Sequence, residues 1–136
     1  MPRLPLPPEA DALLRRANPA VIATVRADGS PHTAVTWYDW DGERILVNMD
    51  ASRLRLRNMR HDPRVSVTVM DGPDWYRQLT VFGRVAEIRD DADFADIDRL
   101  SLRYTRRAFR NRLRARISAL ILPERWYGWE GSAHWP

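Results

Sequence analysis

The pattern of apolar and polar positions along the chain predicts short strands joined by tight turns. Residues 65–69 alternate strictly between apolar and polar side chains, as expected for a strand with one buried face. Asp28-Gly29 and Asp41-Gly42 are two-residue hairpin signals that lie between such segments. The six predicted strands cover residues 20–26, 31–40, 44–49, 65–69, 75–88 and 117–122. Hairpin connections between short strands favour a mainly β, antiparallel barrel.

Three helices complete the pattern, at residues 8–17, 52–61 and 90 to about 108. Asn18-Pro19 and Asp62-Pro63 end the first two, because the residue before a proline is disfavoured in a helix. Gly83 interrupts the longest strand and predicts a bulge or a bend. No internal repeat or domain boundary is visible, so residues 1–136 are predicted to form one domain.

Composition removes several kinds of chemistry. The chain has no cysteine, which excludes disulfides, thiolate metal ligands and thiol catalysis. His32, His61 and His134 are far apart and show no metal-ligand spacing. Every one of the 22 basic residues is an arginine, so a Schiff-base lysine and a P-loop lysine are both excluded. No apolar run is long enough to span a membrane, so we expect a cytoplasmic protein.

The junction between the third strand and the second helix, residues 46–64, is the strongest candidate site. Arginines crowd this segment at positions 53, 55, 57 and 60. A helix N-terminus carries free N–H groups and a partial positive charge, and guanidinium groups beside it would make a phosphate site. The plainer interpretation is a solvated basic face, which Arg53, Arg57 and Arg60 would share. Arg55 lies off that face, so the stripe does not explain it.

Four stretches together resemble the pyridoxamine 5'-phosphate oxidase-like flavin-binding split barrels. They most resemble the branch of that family that uses the deazaflavin coenzyme F-420. The stretches are residues 23–31, 35–38 followed by Asp41-Gly42, 53–64 and 81–87. The resemblance implies an antiparallel split β-barrel of six to seven strands, and a homodimer with two cofactor sites at the subunit interface.

The resemblance also assigns cofactor contacts. The backbone of Val47, Asn48, Met49 and Asp50 would pass beside the ring of the cofactor. Arg53 and Arg55 would hold the phosphate, and Asn58 matches an asparagine of the family pattern. Trp75 and Gln78 would approach from the other subunit. The chain departs from the pattern where Arg55 replaces a lysine, and where residues 48–50 replace small Ser or Thr residues. Asp50 thereby brings a negative charge near an anionic cofactor.

Other candidates are weaker. Alternation places Trp37 on one face of its strand and Tyr38 with Trp40 on the other, so that one set fills the barrel and the other packs at a dimer interface. Trp75, Trp126 and Trp129 would wall a flat pocket or belong to the core. His32 is a possible proton donor, although it has no placed partner.

Three hypotheses of function remain, and none comes with an identified catalytic residue. The first is an oxidoreductase that transfers hydride between F-420 and a small organic substrate. The second is an FMN-dependent oxidase or reductase of the same fold. The third is a cofactor carrier or a basic nucleic-acid-binding domain. The basic segment 103–116 suits an exposed loop, nucleic acid or the polyglutamate tail of F-420. Nucleic acid is disfavoured because the aromatic residues lie mainly in strands.

Overall fold

The computed structural model describes residues 4–130 and the backbone of residues 133–134. Three helices are present in this part of the chain: α1 (Pro8–Arg15), α2 (Leu54–His61) and α3 (Ala95–Thr105). The strands are β1 (Ala20–Val25), β2 (Pro31–Thr36), β3 (Asp39–Trp40), β4 (Ile45–Asp50), β5 (Arg64–Met70), β6 (Arg77–Asp90), β7 (Arg116–Glu130) and β8 (Ala133–His134).

The strands form one antiparallel sheet in the order β2-β1-β5-β6-β7-β4-β3, and β8 pairs with β7. Alternate residues of β1 and β5 point into the core, as their burial pattern shows. β4 is buried along its whole length because it pairs with β3 on one side and β7 on the other, and because Leu46 clusters with Ile97 and Leu100 of α3. The predicted mainly β, antiparallel architecture is confirmed.

The single strand predicted at residues 31–40 is wrong, because two separate strands, β2 and β3, occupy this range. β2 ends at Thr36 and β3 begins at Asp39. The backbone of Tyr38 turns to α3 instead of to another strand: its N–H lies 3.4 Å from the hydroxyl of Tyr104, and its carbonyl accepts a 3.0 Å hydrogen bond from Arg103 Nε. The ring of Tyr38 is fully buried in the core.

Arg103 ties α3 to the C-terminal end of α1. Its guanidinium donates hydrogen bonds to the carbonyls of Leu14 at 3.1 Å, Arg15 at 2.9 Å and Arg16 at 2.7 Å. These carbonyls lie in the last turn of α1 and just beyond it, where no helical N–H is available to them. Arg103 therefore acts as a C-cap supplied from another helix, and it holds α3 over the junction between β2 and β3.

Both predicted helices beyond α1 are shorter than expected. α2 begins at Leu54 and not at Ser52, because the Ser52 N–H and hydroxyl both donate hydrogen bonds to the carboxylate of Asp50 at the end of β4. α3 begins at Ala95, since residues up to Asp90 belong to β6. The carboxylate of Asp91 then accepts hydrogen bonds from the backbone N–H groups of residues 96 and 97 in the first turn of α3.

The last strand is far longer than the predicted 117–122. β7 continues to Glu130 because β6 supplies a pairing partner along this length. The register shifts where Gly83 faces Pro123, which confirms the bulge predicted at Gly83. A Cβ atom at that position would collide with the carbonyl of Leu122, so only glycine fits there. Trp126 on this extension is buried in the core.

Candidate functional site

A cavity of about 330 Å³ opens where β4 ends and α2 begins. Three arginines line it: Arg53 and Arg55 from the α2 side, and Arg116 from the start of β7. The pairing of β7 with β4 sets Arg116 directly opposite Asp50. Arg116 could not be assigned to the site from the sequence, since only the strand register brings it there. We call this space the arginine cavity.

Arg55 has the least satisfied position in the arginine cavity. Its Nη2 donates a 3.0 Å hydrogen bond to the backbone carbonyl of Asn48. Its Nη1 is buried and has no hydrogen-bond partner. Burial, together with the positive charges of Arg53 and Arg116, lowers the pKa of Arg55 to about 10. A buried cation with an open donor and two cationic neighbours is stabilised by an anion.

Asp50 also lines the arginine cavity, but the surrounding loop occupies its carboxylate. The Ser52 N–H donates to it at 2.8 Å and the Ser52 hydroxyl donates to the same oxygen. These hydrogen bonds, more than the nearby arginines, lower the pKa of Asp50 and keep it ionised. Its second oxygen lies 3.4 Å from Arg53 Nε. The negative charge therefore organises the loop and compensates part of the positive charge of Arg53.

The side chain of Asn48 is occupied in a buried polar network. Its Nδ2 donates to Asp91 at 3.1 Å and to Ser118 at 2.9 Å. Its Oδ1 accepts a 2.9 Å hydrogen bond from Arg116 Nε. Asn48 is therefore a positioning residue that orients Arg116, and only its backbone remains for the ring contact that the family resemblance implies.

A second cavity of about 220 Å³ adjoins the first and shares Val35, Arg55 and Arg116 with it. Its other lining consists of two polar residues, Thr36 of β2 and Asn48 of β4, and of apolar side chains from the segment after β2, from α3 and from the loop after α3. The apolar side chains are Trp37, Ile97, Leu100 and Phe109. Trp37 stacks on Tyr104 with ring centroids 5.5 Å apart. We call this space the aromatic chamber.

The remaining candidates divide between the core and other surfaces. Val47 and Met49 both belong to the buried core, and Met49 also lines the arginine cavity. Asn58 is buried and donates a 3.0 Å hydrogen bond to Thr24, away from the arginine cavity. Trp75 and Gln78 line a separate cavity, and 73% of Trp75 is exposed. One subunit therefore does not bring these two residues to the arginines.

The structure also locates His32, His134 and the basic segment 103–116. His32 lines the arginine cavity, and its Nδ1 is buried without a hydrogen-bond partner. The basic segment after α3 is irregular between residues 106 and 115. Within it, Arg112 pairs with Asp98 at 2.8 Å. His134 lies in β8, where only the backbone belongs to the described part of the chain.

No helix in residues 4–130 is both long and apolar enough to cross a membrane. Within the same described part of the chain, no three His, Asp or Glu side chains are grouped to hold a metal ion.

A family model described as pyridoxamine 5'-phosphate oxidase matches residues 6–130. An F-420 reductase of solved structure is 30% identical, with 89% of this chain and 98% of that chain covered and a TM-score of 0.83. A conserved protein of Mycobacterium tuberculosis is 24% identical over 96% of this chain and 88% of its own, with a TM-score of 0.72. General stress protein 26 of Bacillus anthracis is 21% identical over 88% and 89%, with a TM-score of 0.68. These similarities confirm the split-barrel fold.

Proposed function

Because this chain belongs to the pyridoxamine 5'-phosphate oxidase family, whose members bind flavin-type cofactors, we propose that it is an oxidoreductase that binds the deazaflavin coenzyme F-420. The single observation that carries the proposal is Arg55, a buried guanidinium with an unpartnered Nη1 in a cavity that it shares with Arg53 and Arg116. Similarity to an F-420 reductase over 89% of the chain supports this choice of cofactor.

The residues of the arginine cavity fit a phosphate group. Arg55 offers a free N–H donor. Arg53 offers a second guanidinium beside it, and 67% of the Arg53 side chain is exposed. No side chain caps the N-terminus of α2, so its partial positive charge is also available. Arg55 stands where the family pattern has lysine, and its planar fork suits a phosphate oxygen pair.

F-420 supplies a two-electron hydride couple when it is bound. The chain contributes binding, orientation and the exclusion of water. Arg53 and Arg55 would hold the phosphate, and the buried backbone of Val47 to Asp50 would contact the ring of the cofactor. The aromatic chamber next to these residues receives the substrate. His32 lines the arginine cavity and would donate a proton to a substrate that is being reduced.

A homodimer is part of this proposal. Trp75 and Tyr76 are each 73% exposed at the turn before β6, and one subunit offers them no cavity in common with Arg55. In a dimer, this turn would reach the cofactor of the other subunit, as the family pattern implies for Trp75 and Gln78.

FMN is the second candidate, because the arginine cavity would hold the phosphate of either cofactor. The two differ in the polyglutamate tail, which only F-420 carries. Four arginines that follow α3 are exposed and belong to no ion pair given by the structure: Arg106, Arg107, Arg110 and Arg114. Reversing their charge is expected to weaken F-420 and to leave FMN binding nearly unchanged.

The test is titration of the purified protein with F-420 and with FMN, followed by fluorescence. We expect F-420 to bind more tightly, and Arg55→Gln to weaken it at least tenfold. Arg60→Gln is the matched control, since Arg60 is an exposed arginine of the same helix that does not line the arginine cavity. FMN binding without F-420 binding would favour the second candidate. Tight F-420 binding without turnover of any conjugated substrate would favour a carrier.

A further inference from the structure

The aromatic chamber differs from the arginine cavity in what it can recognise. Trp37, Ile97, Leu100 and Phe109 give it apolar walls, and no acidic side chain lines it. Its basic groups are Arg55 and Arg116, which lie at the boundary with the arginine cavity. A ligand of this space therefore meets apolar side chains on one part of the wall, and the polar side chains of Thr36 and Asn48 with two positive charges on the rest.

The walls are held in place before any ligand arrives. Trp37 stacks on Tyr104 with an angle of 10° between the ring planes, and Phe109 meets Trp37 edge-on at 6.4 Å. The Tyr104 hydroxyl donates a 2.7 Å hydrogen bond to the carbonyl of Asn18, which fixes that ring in turn. A preorganised aromatic wall favours a flat ligand, because little side-chain entropy is lost on binding.

Arg116 is positioned as the anion-binding group of the aromatic chamber. Its Nε is held by Asn48 at 2.9 Å, and its guanidinium carbon lies 4.8 Å from the centre of the Phe109 ring. The structure gives its two Nη groups no hydrogen-bond partner among the described residues. Burial lowers the pKa of Arg116, yet the group remains a cation at neutral pH. Its remaining donors can take a carboxylate in the paired geometry that arginine prefers.

We propose that the aromatic chamber is a substrate subsite for a planar, conjugated carboxylate, with the ring against Trp37 and Phe109 and the carboxylate on Arg116. This inference rests on the proposed function for the neighbouring cofactor, and it names the substrate class. Arg53 and Arg55 remain with the phosphate of the cofactor, so the two anions have separate arginines. Arg116 sets specificity, because a neutral ring of the same shape leaves its donors unpaired.

The probe is 2-naphthoate, and its neutral isostere is 2-naphthamide. Binding of each is measured by calorimetry on the full chain, without cofactor and again with F-420 present. We expect 2-naphthoate to bind at least tenfold more tightly than 2-naphthamide, and to bind alongside F-420. Equal affinity for the two probes would overturn the proposal, as would displacement of 2-naphthoate by F-420.

Variants separate a specific contact from the general positive charge. Arg116→Gln is expected to lower 2-naphthoate affinity at least tenfold, and Arg116→Lys to recover part of the loss. Arg125→Gln is the matched control, because Arg125 is an exposed arginine of the same strand, β7, and lines neither cavity. An equal loss in both glutamine variants would overturn the proposal. The comparison of the two probes on the unmodified chain needs no variant to fold.

The outcomes distinguish this inference from the proposed function. Binding of F-420 without preference for 2-naphthoate would leave the function and overturn the subsite. Arg116-dependent binding of 2-naphthoate without any binding of F-420 would overturn the function, and the chamber would stand as an aromatic-anion site.

Discussion

Replacing Arg55 with methionine is expected to stabilise the protein and to weaken its stabilisation by phosphate. The side chain is cationic, largely buried and flanked by Arg53 and Arg116, and its pKa is lowered to about 10. The unfolded chain holds the proton more tightly than the folded chain, so the charge destabilises the fold at every pH below about 10. This cost disappears as the pH rises through that value.

The magnitude follows from the same pKa. A decrease of between two and three pH units is worth about 3 kcal/mol at 1.36 kcal/mol per unit, and solvent reaching the cavity reduces it to roughly 2 kcal/mol. Methionine removes this cost but also removes the hydrogen bond to the carbonyl of Asn48, which contributes about 1 kcal/mol. We therefore expect the free energy of unfolding to rise by about 1 kcal/mol.

The assay is urea unfolding of the wild type and Arg55→Met at pH 7, with and without inorganic phosphate. Phosphate at 100 times its Kd stabilises the wild type by about 2.7 kcal/mol, and it should stabilise the variant far less. Arg60→Met is the control for loss of an arginine from the exposed face of α2. A decrease of more than about 1 kcal/mol in Arg55→Met, with the phosphate response intact, would refute the reasoning.

Three further outcomes are expected. Burial raises the pKa of Tyr38, so unfolding above pH 10 releases a proton from its hydroxyl. The free energy of unfolding should therefore fall by about 1.4 kcal/mol per pH unit in that range. Urea titrations at pH 9.5–11 should show a smaller fall for Tyr38→Phe. Gly83→Ala should lower the free energy of unfolding by about 2 kcal/mol or more, because the added Cβ meets the backbone of β7. Gly72→Ala adds a Cβ with ordinary contacts and should change it by under about 1 kcal/mol. Equal shifts in melting temperature for the two variants would contradict this. Arg103→Met should cost about 2–4 kcal/mol through the uncapped carbonyls of α1, and a change within about 0.5 kcal/mol would show that the cap is unimportant.

Local pattern predicted those parts of the fold whose cause is local. The alternation in β5 and the Asp28-Gly29 turn are both present in the structure, and Gly29 has a φ of 87°. The predictions failed where distant residues decide. Tyr38 leaves the sheet because α3 supplies its hydrogen-bond partners. The last strand was predicted to end at residue 122, whereas the bulge opposite Gly83 accommodates Pro123 inside β7.

The candidate site was predictable only where its residues are close together in the sequence. Arg53 and Arg55 are close in sequence, and the prediction that Arg55 lies off the exposed stripe agrees with its buried Nη1. Arg116 lies far along the chain and enters the cavity only through the pairing of β4 with β7. From the sequence, Asp50 could be read only as a negative charge that would repel an anionic cofactor. The structure shows that its carboxylate accepts hydrogen bonds from Ser52.

The central claim is that Arg53 and Arg55 hold the phosphate of F-420. The most direct measurement compares F-420 with its phosphate-free deazaflavin riboside, by fluorescence titration of the wild type and the Arg53→Ala/Arg55→Ala double variant. The account predicts that the double variant binds F-420 at least 100-fold more weakly and binds the riboside as the wild type does. Undiminished affinity of the double variant for F-420 would contradict it.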